Sequence, residues 1–142
     1  MADLTQTAAN VAIGASTLKT RLVQVGEAVT QGMPLYQSTS DSKFYKCDAD
    51  VLASSVAAGI ALTPASTDGY SSMAVPADSP GLALVNLGAT LVVGTVYAVS
   101  VTTGAICPVA DLASGDYITT LGVATTASLL DLRIVVSNTA KA

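Results

Sequence analysis

Carboxylates are the residues of this chain whose spacing comes nearest to a chemical site. Asp48 and Asp50 have the Asp-x-Asp spacing that opens a calcium-binding loop. Such a loop also needs a glycine at its sixth position and a glutamate at its twelfth, where this chain has Ala53 and Gly59. We therefore interpret the two aspartates as part of a solvated turn or as a helix cap, and we predict no metal site.

The chain contains no histidine, so it lacks the commonest general base and metal ligand. A Ser–His–Asp or Cys–His catalytic arrangement is therefore impossible. The glycine-rich motifs that bind phosphates, G-x-x-x-x-G-K and G-x-G-x-x-G, do not occur. We predict that the protein is not an enzyme, with no catalytic residues and no cofactor.

The two cysteines belong to segments that resemble each other, CDADVLAS at 47–54 and CPVADLAS at 107–114. If pseudo-symmetry relates these segments, Cys47 and Cys107 could meet near the axis and form a disulfide. Neither has the CxxC partner of a zinc or redox site. We favour buried free thiols that pack as small hydrophobic groups.

The composition indicates a protein that buries surface against other subunits. Hydrophobic residues make up 51% and charged residues only 11%, whereas soluble domains carry about 25% charged residues. This favours an oligomer or a lattice component. The net charge of −4, with six scattered basic residues, predicts no binding to nucleic acid and none to a membrane surface.

No hydrophobic run approaches the ~18 residues of a membrane-spanning helix, so we predict no membrane association. The first residues lack the basic start and apolar core of a signal peptide. We expect synthesis in the cytoplasm, where thiols stay reduced.

Short β-branched runs separated by turn residues predict an all-β domain. The predicted strands are 10–13, 17–25, 34–38, 43–47, 59–63, 70–75, 83–87, 95–102, 105–107, 117–124 and 129–136. One short helix is plausible at 50–58, where Asp48 or Asp50 could cap the first turn. Valine and serine residues weaken this helix prediction.

An internal repeat covers about 26–66 and 88–128. Its matching pieces are 32–36 (GMPLY) with 94–97 (GTVY), the two cysteine segments, and 59–63 (GIALT) with 122–125 (GVAT). Segments rich in alanine, serine and glycine also align by chance, but the ordered flanking matches favour a duplication. We predict that residues 17–142 form a compact β-barrel or sandwich-like domain built from two similar three-strand units.

Residues 1–16 are set apart by having only three large apolar side chains, Leu4, Val11 and Ile13, apart from the initiating methionine. An extended N-terminal arm that docks on a neighbouring subunit would use these three as partner-binding anchors and become ordered on assembly. A frayed end followed by an ordinary first strand is the alternative.

Several segments resemble the small capsid decoration (cement) proteins of tailed bacteriophages. They are GMPLY at 32–36, KFYKCDAD at 43–50, AAGIALT at 57–63, LVVGTVY at 91–97, GAICP at 104–108 and DYITTLGVA at 116–124. The similarity spans about residues 25–135 and marks no active site. It implies a structural virion protein on the outer surface of an icosahedral capsid, where a homotrimer binds the major capsid protein and stabilises the capsid.

Two other functions are considered. A head-fibre or tail-associated structural subunit would share the β-rich fold and the tendency to assemble. A small carbohydrate-binding adhesion module would need aromatic rings that stack on sugars, for which the chain offers Phe44 and five tyrosines but no tryptophan.

Overall fold

The computed structural model describes residues 3–77, 79 and 81–142. Within these ranges the chain forms strands β1 (Val11–Ile13), β2 (Lys19–Gln24), β3 (Pro34–Gln37), β4 (Phe44–Lys46), β5 (Gly59–Ala61), β6 (Tyr70–Val75), β7 (Leu84–Leu87), β8 (Val96–Val99), β9 (Ile106–Pro108), β10 (Tyr117–Ala124) and β11 (Leu129–Ala140). Each predicted strand overlaps one of these eleven. The all-β prediction is confirmed.

Helical structure in the described residues is confined to short turns. Helix α1 covers only Leu52–Ser55, and single 3-10 turns form at Ala8–Asn10 and Val109–Asp111. The predicted helix at 50–58 was too long. Its N-cap position holds Val51, whose side chain cannot accept a hydrogen bond from the first turn, so the helix has no cap at its start.

The strands form two open sheets that pack into a sandwich. One sheet has six strands in the order β1-β7-β11-β10-β8-β9, and the other has five in the order β2-β6-β5-β3-β4. All neighbouring strands in both sheets are antiparallel. Because the strand order of neither sheet closes on itself, the barrel alternative is wrong and the sandwich is confirmed.

The two sheets share one topology. In each sheet, five strands that are consecutive in the chain lie side by side in the order first, fifth, fourth, second, third. These strands are β2 to β6 in the five-stranded sheet and β7 to β11 in the six-stranded sheet. Among the described strands, β1 alone has no counterpart in the other sheet, and it lies at the edge beside β7. The shared unit therefore contains five strands, whereas the sequence repeat indicated three, because β2, β6, β7 and β11 carry too little sequence similarity to be matched.

A glycine occupies the same position in each unit for the same steric reason. Gly59 begins β5, and a Cβ atom on it would overlap the carbonyl oxygen of Ala74 on β6. A Cβ atom on Gly122 of β10 would overlap the carbonyl oxygen of Asp131 on β11. In both units the carbonyl belongs to the partner of the residue that follows the glycine: Ala74 pairs with Ile60, and Asp131 pairs with Val123. The sequence match of 59–63 with 122–125 is thus a match in structure.

The two cysteines are not equivalent in the two units. In the first unit Tyr36 pairs with Tyr45, and in the second Ala98 pairs with Cys107. Leu35 pairs with Gly59, and Tyr97 pairs with the equivalent glycine, Gly122. The residues that follow, Tyr36 and Ala98, therefore occupy equivalent positions. Cys107 therefore corresponds to Tyr45, and the gap-free alignment of Cys47 with Cys107 is wrong by two residues.

The main core lies between the sheets. It combines Ile60 and Ala74 of the five-stranded sheet with residues of the six-stranded sheet such as Tyr97, Leu121 and Leu132. Each large aliphatic side chain buried in this way stabilises the fold by about 1.5–3 kcal/mol. A second cluster, around Val25, Leu35 and Phe44, covers the opposite face of the five-stranded sheet. Successive residues of β5 are buried for this reason: Ile60 belongs to the first cluster and Ala61 to the second.

Candidate interaction surfaces

The N-terminal segment lies along its own domain in the structure. The Leu4 amide donates a hydrogen bond to the Ile106 carbonyl oxygen at 2.8 Å, and the Leu4 side chain packs against the main core. Val11 is buried in β1, which pairs with β7. Of the three predicted anchors, Ile13 alone is exposed, at 52%. Met1 and Ala2 of the predicted arm lie outside the described residues.

The Gln6 side chain forms hydrogen bonds from this segment to both units. Its side-chain Nε2 donates to the Gly32 carbonyl oxygen at 3.2 Å and to the Leu87 carbonyl oxygen at 3.0 Å. The Thr7 amide adds a backbone bond to the Gly88 carbonyl oxygen at 2.7 Å. Sequence reasoning missed Gln6, because a lone glutamine in a polar segment carries no pattern that indicates burial or a distant partner.

Both cysteines are buried free thiols. Burial raises the pKa of the Cys47 thiol well above its ordinary value, and the Asp48 carboxylate adds to that shift. Burial also raises the pKa of Cys107 to about 11, with further contributions from the carboxylates of Asp3 and Asp111. Because the thiolate is the nucleophile and metal ligand, two protonated thiols act as packing groups.

Asp48 stabilises a turn. One of its carboxylate oxygens accepts a hydrogen bond from the Asp50 amide at 2.9 Å, and the other accepts one from the Thr103 hydroxyl at 2.9 Å. The solvated-turn interpretation therefore holds for Asp48, whereas neither aspartate caps α1. Among the described residues no group of three or more aspartate, glutamate or cysteine side chains is arranged to hold a metal ion.

A cluster of polar side chains connects β4 and the loop before it with the loop between β5 and β6. The Tyr45 hydroxyl donates to the Asp41 carboxylate at 2.5 Å, and the Lys43 ammonium lies 2.7 Å from the Asp68 carboxylate. Its hydrogen bond to Asp41 raises the pKa of Tyr45 to about 12, and the same bond lowers the pKa of Asp41. These groups satisfy one another and hold two loops together.

Large aliphatic groups are exposed on several separate parts of the sandwich. Leu22 on the edge strand β2 is 69% exposed, Val92 before β8 is 66% exposed, and Val135 on β11 is 62% exposed. Further exposed groups are Ile13, Val51, Leu52, Val56, Leu82, Val93 and Val123. Because they occupy both sheets, α1 and the loops, they do not form one ligand pocket.

The aromatic rings are mostly covered. Phe44 and Tyr97 are buried, and Tyr36, Tyr45 and Tyr117 are half-buried. Tyr70 on β6 is the one ring that is largely exposed, at 59%. Among the described residues, which include all six aromatic side chains, the exposed rings therefore do not form a flat platform on which a sugar could stack.

The helix α1 and the two 3-10 turns are far too short to cross a bilayer, and no other helix in the described ranges is longer. No protein-family model, curated protein or solved structure matches the chain.

Proposed function

We propose that the protein is a structural virion component that decorates and stabilises an icosahedral phage capsid. In this proposal a homotrimer binds the outer surface of the major capsid protein lattice and bridges neighbouring subunits. The observation that carries the proposal is the set of large aliphatic side chains exposed on separate faces of a domain with only 11% charged residues. A protein with several apolar contact faces is suited to a position between several neighbours.

Such a function requires no chemistry. A protein that binds only the assembled shell stabilises that state through mass action, since each bound copy must be released before the shell can come apart. Small neutral side chains favour close packing of subunits because they carry little charge to desolvate. The polar groups described above are satisfied within the chain, which is consistent with a structural role.

Ile13 is the predicted anchor that remains available to a neighbour. It lies on β1, at the outer edge of the six-stranded sheet, and is 52% exposed. Leu4 and Val11 are committed to their own domain, so we assign contact with the shell to Ile13 first. A head-fibre or tail-associated subunit remains the second candidate, favoured if the isolated protein forms extended assemblies. The covered aromatic rings weigh against the carbohydrate-binding alternative.

The test is retention on purified shells of the phage that encodes the chain. The wild-type protein should co-sediment with expanded shells to a saturating, fixed stoichiometry and should behave as a trimer in light scattering. Ile13→Asp should reduce retention while leaving the circular dichroism spectrum unchanged, because the side chain is already exposed. Thr39→Asp, in the exposed turn after β3, is the matched control. The proposal would be refuted if the protein is a monomer, does not bind to the shells and is absent from purified virions.

A further inference from the structure

Asp131 is a buried carboxylate on the outer face of the six-stranded sheet. It is 9% exposed, and its neighbours Leu130 and Leu132 belong to the main core. Because successive side chains of a strand alternate, the Asp131 side chain points away from that core. It pairs across the sheet with Leu84 on β7 and with Val123 on β10. The carboxylate therefore lies in a row whose other members are aliphatic.

Only one of the two carboxylate oxygens of Asp131 has a hydrogen bond. Oδ2 accepts from the Gly81 amide at 3.1 Å. Oδ1 is buried and has no hydrogen-bond donor among the described residues. A buried oxygen left without a donor destabilises a fold, and a charged one does so most. Native structures retain few such groups, and each one is a candidate for contact with another molecule.

Asp131 lines a surface groove of about 340 Å³. Gly122 lines it too and has no side chain to fill it, while Val96, Val123 and Val135 provide apolar walls. Val123 is 41% exposed and Val135 is 62% exposed. Whole small ligands occupy pockets of about 300–1,000 Å³, so this groove has room for one side chain or one small amine.

We propose that the groove binds a lysine side chain of a partner protein, whose ammonium group donates to Oδ1 of Asp131. The single unpaired oxygen selects the ligand. A guanidinium group binds a carboxylate through two oxygens, but Oδ2 is already bonded to Gly81. An ammonium group is a compact charge that one oxygen can accept. The methylene groups of a lysine suit the valine walls, because lysine covers apolar surface with its aliphatic part.

Arg133 sets the affinity of this site. It lines the groove two residues along β11 from Asp131, it is exposed, and no carboxylate of the described residues lies within ion-pair distance of it. A bound ammonium group meets a like charge there, which weakens binding. Oδ1 is covered in the unbound chain, so exposed side chains at the rim change rotamer on docking, as is common at interfaces.

The proposal deepens the proposed function by naming the chemistry of a contact. In the decoration protein the lysine belongs to the major capsid protein, and this assignment alone rests on the proposed function. Lysine binding is measured on the isolated full-length protein, without shells. If the protein binds shells but not lysine, the site is wrong and the function stands. If it binds lysine but not shells, the function is wrong and the site stands.

The experiment is a titration of isotope-labelled full-length protein with Nα-acetyl-lysine amide, followed by backbone amide chemical shifts. We expect saturable shifts centred on Gly122, Val123 and Asp131. Nα-acetyl-norleucine amide has the same aliphatic chain without the ammonium group, so it should bind at least about tenfold more weakly. Nα-acetyl-arginine amide should also bind more weakly than the lysine probe. The absence of saturable shifts in the groove, or equal affinity for the lysine and norleucine probes, would overturn the proposal.

Two variants test the acceptor. Asp131→Asn should reduce the affinity for the lysine probe to that of the norleucine probe, whereas Asp50→Asn, in the exposed turn before α1, should leave it unchanged. Arg133→Gln should raise the affinity about twofold because it removes the like charge, and it keeps the test in force if Asp131→Asn does not fold. If Asp131→Asn binds the lysine probe as wild type does, or if Arg133→Gln binds it no better, the proposal fails. Shifts in the groove that appear with protein concentration alone would identify a second copy as the occupant and would also overturn it.

Discussion

Replacing Gln6 should destabilise the fold far more than its place in a polar N-terminal segment indicates. Its side chain donates two partly buried hydrogen bonds, to the carbonyl oxygens of Gly32 and Leu87. Each such bond contributes about 0.5–1.5 kcal/mol net, so Gln6→Ala should lower the free energy of unfolding by about 1–3 kcal/mol. For a domain of this size the melting temperature should fall by about 3–10 °C.

The assay is urea unfolding monitored by circular dichroism, in which the dependence of the unfolding free energy on urea concentration is also compared between variants. Gln6→Glu tests the hydrogen bonds directly, because it keeps the shape but sets a carboxylate oxygen against two carbonyls. Gln6→Glu should lower the free energy of unfolding at least as much as Gln6→Ala does. Gln37→Ala is the matched control, since its Nε2 donates one exposed bond to Ser42 within the same turn and should cost less than about 0.5 kcal/mol. If Gln6→Ala is as mild as Gln37→Ala, the N-terminal segment is not fastened as described.

Three further predictions concern the interior and the polar cluster. Gly59→Ala should lower the free energy of unfolding by about 1–3 kcal/mol, because the added Cβ forces β5 away from β6. Gly115→Ala should lower it less, because Gly115 has a positive φ but open space around it. Similar losses for the two variants in urea unfolding would contradict the steric argument. The Cys107 thiol, with its pKa raised to about 11, should resist thiol reagents at pH 8 until the protein unfolds, because only about 0.1% is thiolate there. Since this pKa is higher in the folded state than the ordinary value of 9.0, stability should fall as the pH rises from about 9 to 11. Asp41→Asn should lower the pKa of Tyr45 from about 12 toward 10.0, and an absorbance titration that is unchanged would exclude this hydrogen bond as the cause.

The strands were predictable because their signals are local. The predicted bounds of β6 and β10, at 70–75 and 117–124, match the structure to the residue, because turn residues bound both segments. β11 extends four residues beyond its predicted end at 136, because the pairing of Ala140 with Tyr117 continues the strand past an irregularity at Asn138, where φ is 55°. Tertiary pairing of this kind leaves no mark in the hydrophobic pattern.

The pairing of strands was only partly predictable. The glycines at 59 and 122 identified equivalent positions because both serve the same close backbone approach. The cysteines misled the alignment because a small buried residue is acceptable at many core positions. The fastening of the N-terminal segment through Gln6 could not be predicted, since its partners Gly32 and Leu87 lie 26 and 81 residues away along the chain.

The position of β7 determines how the chain responds to a pulling force. Strands β1 and β11 flank β7 and are both antiparallel to it, so they run in the same direction. A force that draws the two ends of the chain apart therefore slides β1 and β11 in opposite senses along β7. Within each of the two interfaces of β7 the hydrogen bonds are loaded in shear and must break together, whereas peeling would break them one at a time.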